Sequence, residues 1–317
     1  MSKSPRHFIL FRDIPLLYGR VPKVANSSIK ATLCKLLAHR PDGGIKTTAD
    51  RFWRENTHGE TQLVTPQQAR RLRSSHFSFS FVRNPFDRLV AAYNNKILEI
   101  EDVPMPMKTM GLHHGMAFDH FIDIVCKADP ELMDNHVRPQ TEMLFCANKL
   151  VPKFVGRMEH MNDHWRRLRR RMKLEGLPTL GAIPQKNVRR EGRSDIRVLF
   201  HSTALIDIVI ERYEEDFKRF YGDYSVDVLL DGAAKHQAVL EATLAAHRAE
   251  LERLIDEQLE LRERAEGLQA EAAREREHGR ERGEVGRVRD VGQQQAHAAK
   301  GHRADKREVA WPFKLSV

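Results

Sequence analysis

The chain has 317 residues, with 53 Lys and Arg against 44 Asp and Glu for a net charge of +9, and a mean hydropathy of −0.55. That length suits one substantial α/β domain with an extension, and no apolar run approaches the length of a membrane span. Three widely spaced cysteines, Cys34, Cys126 and Cys146, exclude a disulfide framework or a clustered metal site. The basic balance suits an anionic ligand. Single arginine-rich runs such as 166–173 read as solvated helix faces. Without zinc-finger spacing or an aromatic RNA-binding motif, nucleic acid is not expected as a partner.

At the N-terminus, Phe8-Ile-Leu-Phe11 is too short for a signal-peptide core. The apolar run 14–21 predicts a buried strand and Pro22 breaks it. Apolar residues at helical spacing (Ile29, Leu33, Leu36, Leu37) then predict a helix over 27–37. The segment Tyr18-Gly-Arg-Val-Pro-Lys-Val-Ala-Asn-Ser-Ser-Ile-Lys30 thus puts Lys23 and two serines where a strand ends and a helix begins. A helix's first turn offers unpaired N–H groups and partial positive charge, so an anion docked there gains hydrogen bonds and dipole stabilisation, with Lys23 adding a full charge. No Gly-Lys-Ser/Thr triplet is present, so a nucleotide-triphosphatase or P-loop kinase is poorly supported.

Further on, Phe77, Phe79 and Phe81 alternate with Ser78 and Ser80, as in a strand packed on one face, and Arg83-Asn84-Pro85 turns the chain into a helix opening near Phe86. Lys23 and Arg83 then stand at the carboxyl ends of two strands, where an open α/β sheet places its ligand crevice. From Leu240 onward, Leu244, His247, Leu251, Leu254, Gln258, Leu261, Ala265, Leu268 and Ala272 follow at spacings of four and three. This heptad pattern predicts a coiled-coil helix over 233–274 that pairs two copies, the alternative being a helix folded back on its own domain. Three regions follow: a catalytic domain over 1–228, a coiled-coil helix over 229–275, and a basic tail over 276–317. The tail is expected to be disordered up to the apolar cluster Trp311-Pro-Phe313.

Val21-Pro-Lys-Val-Ala-Asn-Ser-Ser-Ile-Lys30 resembles the 5′-phosphosulfate loop of the carbohydrate sulfotransferases that use PAPS (3′-phosphoadenosine 5′-phosphosulfate), the type that includes the chondroitin and dermatan enzymes. Phe81-Val-Arg-Asn-Pro-Phe-Asp-Arg-Leu-Val-Ala-Ala-Tyr93 is similar to that family's 3′-phosphate motif. His136-Val-Arg-Pro-Gln140, Phe154-Val-Gly-Arg-Met-Glu159 and Tyr213-Glu-Glu-Asp-Phe-Lys-Arg-Phe-Tyr221 resemble three further segments, in the family's order. The resemblance implies a P-loop-like fold with a central parallel sheet flanked by helices, PAPS as co-substrate, no metal, and a carbohydrate or other hydroxyl acceptor. It assigns cofactor contacts to Arg20, Pro22, Lys23, Asn26, Ser27, Ser28 and Arg83, with Ala91 standing where the family has serine. Losing that hydroxyl removes one hydrogen bond to a charged group, worth about 1.5–3 kcal/mol. The alternative to an active enzyme is a coiled-coil interaction protein with an inactive sulfotransferase-like domain, for which Ala91 is the only direct evidence, while intact Lys23, Ser28 and Arg83 argue against complete degeneration.

Sulfuryl transfer needs a base on the acceptor side and positive charge on the leaving-group side. Lys23 fits the second role. For the first, His58 ranks ahead of His136, because it precedes Arg83 by a distance similar to that of the catalytic histidine in sulfotransferases generally; His76 and Glu142 are further candidates. Ser27 serves equally as helix cap or cofactor contact. The adjacent pair His113 and His114 lacks a third ligand and is not read as a metal site. Acceptor contacts are expected from loops 99–116 and 178–195. Animal members of the resembled family are typically Golgi proteins with an N-terminal membrane anchor; with none seen here, a cytoplasmic location is expected, peripheral membrane contact staying open.

Overall fold

Short, wholly apolar runs become strands buried on both faces. The computed structural model describes residues 6–41, 43–184, 196–231 and 233–298. Its central sheet contains β1 (Phe8–Phe11), β2 (Leu16–Gly19), β3 (Thr61–Val64) and β4 (Phe77–Val82). After a small hairpin of β5 (Phe145–Cys146) and β6 (Lys149–Leu150), β7 (Phe154–Arg157) completes it, in the order β3-β1-β2-β4-β7. β2, β4 and β7 run parallel, with Gly19 opposite Ser80 and Val82 opposite Arg157.

The sheet is mixed rather than parallel throughout. β1 lies antiparallel to both β2 and β3. A short connection folds Phe8–Phe11 back onto β2 as a hairpin, a pairing that parallel strands cannot make without a crossover. β4 also departs from expectation, for all six of its residues are buried. Its serines tolerate this because Ser80 Oγ donates to the Gly19 carbonyl at 2.7 Å and Ser78 Oγ to that of Val151 at 3.2 Å.

The two decisive helices follow β2 and β4. α1 (Asn26–Leu33) starts one residue earlier than the periodicity suggests and ends in a 3₁₀ turn, Cys34–Leu36. α2 (Asp50–Glu55) and α3 (Pro66–Arg71) flank β3, and a Thr65–Gln68 capping box starts α3. α4 (Pro85–Tyr93) has proline in its first turn, where a missing N–H costs nothing, and the Asn84 side chain caps it by accepting from Phe86 N at 3.1 Å. It continues into a π-helical turn, Asn94–Leu98. The helix Met161–Leu174 buries Trp165, Leu168 and Met172, and the Trp165 ring lies 5.9 Å from that of Phe81.

The boundary expected at 228 falls inside the helix Val226–Leu230, whose Leu229 and Leu230 are buried. Leu229 also accepts from Asn84 Nδ2 at 2.7 Å, so the compact unit that holds the sheet extends past 228. Beyond comes a helix of 66 residues, Ala233–Ala298. No break occurs at 275, and 276–298 is helical rather than disordered; its Ala, Arg, Glu and Gln are good helix formers. Pairs such as Arg262 with Glu266 at 3.0 Å support the helix at i,i+4 spacing. Residues 299–317, with Trp311 and Phe313, lie outside the described residues.

Gly156 has a packing reason. A Cβ there would stand 2.6 Å from Phe81 Cδ1 and 2.8 Å from Cζ, and that ring is held by Phe154 and Trp165. Gly156→Ala is therefore expected to cost about 1–3 kcal/mol by overpacking. Chemical denaturation checks it; an unchanged midpoint would mean the Phe81 ring has room to move.

Candidate active site

Because β2 and β4 are parallel neighbours, the turns that leave their carboxyl ends stand side by side. Lys23 has φ 67° and Ala25 φ 47°, both left-handed conformations usually left to glycine. Such residues cost about 1–3 kcal/mol each and persist where surrounding structure imposes them. Ala25 is the N-cap of α1 and no side chain caps that end. Ser27 therefore sits within the first turn instead of capping it, beside the buried Ser28. Asn26 accepts at Oδ1 from the Tyr18 hydroxyl at 3.1 Å. Uncapped N–H groups, two hydroxyls and Lys23 together make a setting suited to a phosphate.

Arg83 meets this loop directly. Its Nη1 donates to the Lys23 carbonyl at 3.0 Å and ties the two turns together, while its Nε donates to Asp87 at 2.8 Å and holds the side chain to its own helix. On α4, Asp87, Ala91 and Asn95 succeed one another at i,i+4 spacing, and Asn95 accepts from Lys23 Nζ. Ala91 thus lies between the residue that holds Arg83 and the residue that holds Lys23. Arg20 serves differently from expectation: its guanidinium donates to Asp50 and to the Arg6 carbonyl, and the residue is buried.

The histidines separate by position. Phe11 pairs with Thr61, and Phe8 with both Val64 and Gly19, so the start of β3 lies at the end of the sheet opposite Lys23. His58 precedes that start; it is exposed and its Nε2 lies 3.2 Å from the Arg40 carbonyl. His76, just before β4, stands at the same far end. His58, ranked first in the sequence, thus lies at the end of the sheet away from Lys23. His136 lies near the loop: burial pushes its pKa below the usual value, with Lys96 and Lys23 adding to the effect and Asp134 opposing it. Asp134 Oδ1 lies 2.7 Å from His136 Nδ1. Glu142 is occupied by Arg138 Nη1 at 2.9 Å.

The turn at Arg83 and Asn84 hangs between two carboxylates, the buried Asp216 and the half-buried Glu159. Asp216 accepts from Gln140 N and Thr141 N at 2.7 Å each and from Thr141 Oγ1 at 2.8 Å. Gln140 in turn accepts from Arg83 N at 2.9 Å and donates to the Arg83 carbonyl at 2.8 Å. On the other side, Glu159 accepts from Asn84 N at 2.6 Å and from the Tyr221 hydroxyl at 3.1 Å. Burial pushes both carboxyls above their usual range, and the N–H donors hold them down.

A model of the sulfotransferase family matches residues 6–224, more than half of the chain. The chain belongs to the sulfotransferase family. It is similar to mouse carbohydrate sulfotransferase 14, 29% identical over 149 residues covering 42% of this chain and 38% of the relative. The human protein of that name is 28% identical over the same length. The zebrafish one is 29% identical over 175 residues, 50% of this chain and 46% of the relative. The chain thus spans less than half of the curated relatives it matches. No solved structure matches it.

These relatives are animal enzymes, the group for which the resemblance implies a Golgi membrane setting, and they overturn the cytoplasmic expectation. No helix among the described residues is long and apolar enough to cross a membrane. No cluster able to hold a metal ion occurs among them either.

The three later motifs are thereby explained as supports, Gln140, Glu159 and Asp216 holding the Arg83 turn. Asp134 was missed in the sequence, although it stands two residues before His136. Of the loops expected to meet an acceptor, 99–116 reaches the segment before His136, Met110 Sδ accepting from Asp134 N at 3.2 Å, while 185–195 of the other lies outside the described residues. Gln140→Met keeps the volume but strands Arg83 N–H, a buried donor whose loss of a partner costs about 1–3 kcal/mol. Urea unfolding measures this; a cost below about 0.5 kcal/mol would mean that water replaces the amide.

Proposed function

We propose that the chain transfers a sulfuryl group from PAPS to a hydroxyl of a carbohydrate. The observation that carries this reading is that Arg83 bonds the Lys23 carbonyl at one end of the sheet, while Arg88 bonds the carbonyls of Pro22 and Asn135, the residues just before Lys23 and His136. PAPS supplies a sulfuryl group on a phosphate leaving group, and the loop around Lys23 fits a phosphate. Lys23, Ser28 and the α1 N-terminus hold the 5′-phosphate, with Pro22, Asn26 and Ser27 shaping the loop; Arg83 serves the 3′-phosphate. His136 takes the acceptor's proton at Nε2 as the hydroxyl oxygen attacks sulfur. The bond from sulfur to the 5′-phosphate oxygen breaks, and Lys23 meets the charge left on that oxygen. Asp134 on Nδ1 keeps Nε2 as the acceptor nitrogen.

The test is turnover of radiolabelled PAPS with chondroitin- or dermatan-type acceptors. Lys23→Ala is expected to lose about 10²–10³-fold in kcat, and His136→Ala about 10²–10⁴-fold. His58→Ala should stay within about twofold; if it proves the damaging change instead, the base assignment is wrong. Because the His136 pKa lies below about 6.5, the neutral base persists through that pH, and kcat/KM should fall only in more acid solution. Asp134→Asn removes the charge that favours imidazolium, so the acid limb should move lower still. An acid limb that moves up contradicts the pairing.

Ala91→Ser is expected to tighten binding of PAP, the desulfated product, by about tenfold or more, since a hydrogen bond regained to a charged phosphate is worth about 1.5–3 kcal/mol. Calorimetry reads it, and weaker binding would mean that the 3′-phosphate lies elsewhere.

The long helix exposes Leu251, Leu261 and Leu268 at 59%, 58% and 66%. Heptad spacing makes a second copy the partner that covers this seam. Full-length protein is expected to sediment as a dimer at micromolar concentration, and the double variant Leu254→Glu, Leu261→Glu as a monomer. A monomeric wild-type chain rejects the pairing.

A further inference from the structure

We propose that Arg88 is a positioning residue that fixes the span between the leaving-group lysine and the base. The proposal rests on the sulfuryl-transfer reading above. Arg88 lies in α4 and is 1% exposed. Its Nε donates to the Pro22 carbonyl at 3.2 Å, its Nη2 to that of Asn135 at 3.0 Å and its Nη1 to that of Arg138 at 2.8 Å. Pro22 directly precedes Lys23, and Asn135 directly precedes His136. One rigid guanidinium thus grips both halves of the reaction centre by their backbones.

The choice of residue is informative. A buried guanidinium is expensive to desolvate, and a well-packed apolar side chain of similar volume often serves stability as well or better. Its compensation here is three carbonyls, with the carboxylates of Asp216 and Asp134 acting at longer range. What arginine adds is a planar fork whose donors keep fixed directions, which lysine's single ammonium does not reproduce. Three carbonyls from two separate segments, met by three nitrogens of one plane, fix distance as well as contact. In-line transfer makes that distance matter, since a misplacement of about 1 Å can cost about 10²-fold in rate.

The experiment is a double-mutant cycle of Arg88→Met and His136→Ala, read by kcat with PAPS and by calorimetry with PAP. Arg88→Met is expected to lower kcat by about 10²-fold, while PAP affinity changes by less than about fivefold because Lys23 and Arg83 remain. In the His136→Ala background the same change should cost less than about threefold, since no base is left to position. Arg88→Lys, which keeps the charge, should lose about tenfold in kcat and shows the same non-additivity if Arg88→Met does not fold. Losses that add in the cycle, or a fall in melting temperature without a fall in kcat, overturn the proposal. A fully active His136→Ala protein overturns the base assignment beneath it, a separate result.

Discussion

The parallel pairing of β2 with β4 is the constraint on which the site depends. It sets Gly19 beside Ser80, so the two turns that follow must emerge together, one carrying Lys23 and the other Arg83. Neither turn is stable by local preference. Lys23 and Ala25 adopt left-handed backbone conformations, and the Arg83–Asn84 turn needs partners for both its N–H groups. The rest of the domain supplies them.

That supply comes from segments far away in sequence. Asp216 reaches Arg83 through Gln140, Glu159 reaches Asn84 directly, and Tyr221 steadies Glu159. Buried carboxylates are costly unless hydrogen-bonded, and here each accepts several donors. Packing adds to this: Phe217 lies 5.1 Å from Phe86, so the Glu214–Phe220 helix presses on α4 while Asp216 holds the turn. Arg88 then draws the Lys23 loop and the His136 segment to the same helix. The Arg83 turn, the Lys23 loop and the His136 segment thus share one scaffold.

Much of this was legible in the chain. Pro22 and Pro85 mark strand ends, and the apolar spacing after them marks α1 and α4. Other parts were hidden for identifiable reasons. Phe8–Phe11 and Thr61–Val64 are four residues long, too short for period to distinguish strand from loop, so the antiparallel insertion of β1 could not be read. That His58 emerges at the end of the sheet away from Lys23 could not be read, because separation along the chain does not say at which end of a sheet a residue emerges. Val228 looked like a domain end because the heptads begin soon after it, yet the Leu229 carbonyl is needed by Asn84. Arg88 carries no local signal; its partners are three carbonyls brought together only by folding.

Calorimetry of the full-length protein with PAP, set against magnesium-ATP, tests the site most directly. With Lys23 and Arg83 assigned to the two phosphates of one ligand, as proposed, PAP should bind at least about tenfold more tightly than magnesium-ATP, a difference of about 1.4 kcal/mol. Arg83→Ala should abolish that preference. Binding of magnesium-ATP in preference to PAP, or no binding of either, would contradict the assignment of Lys23 and Arg83 to one bound molecule.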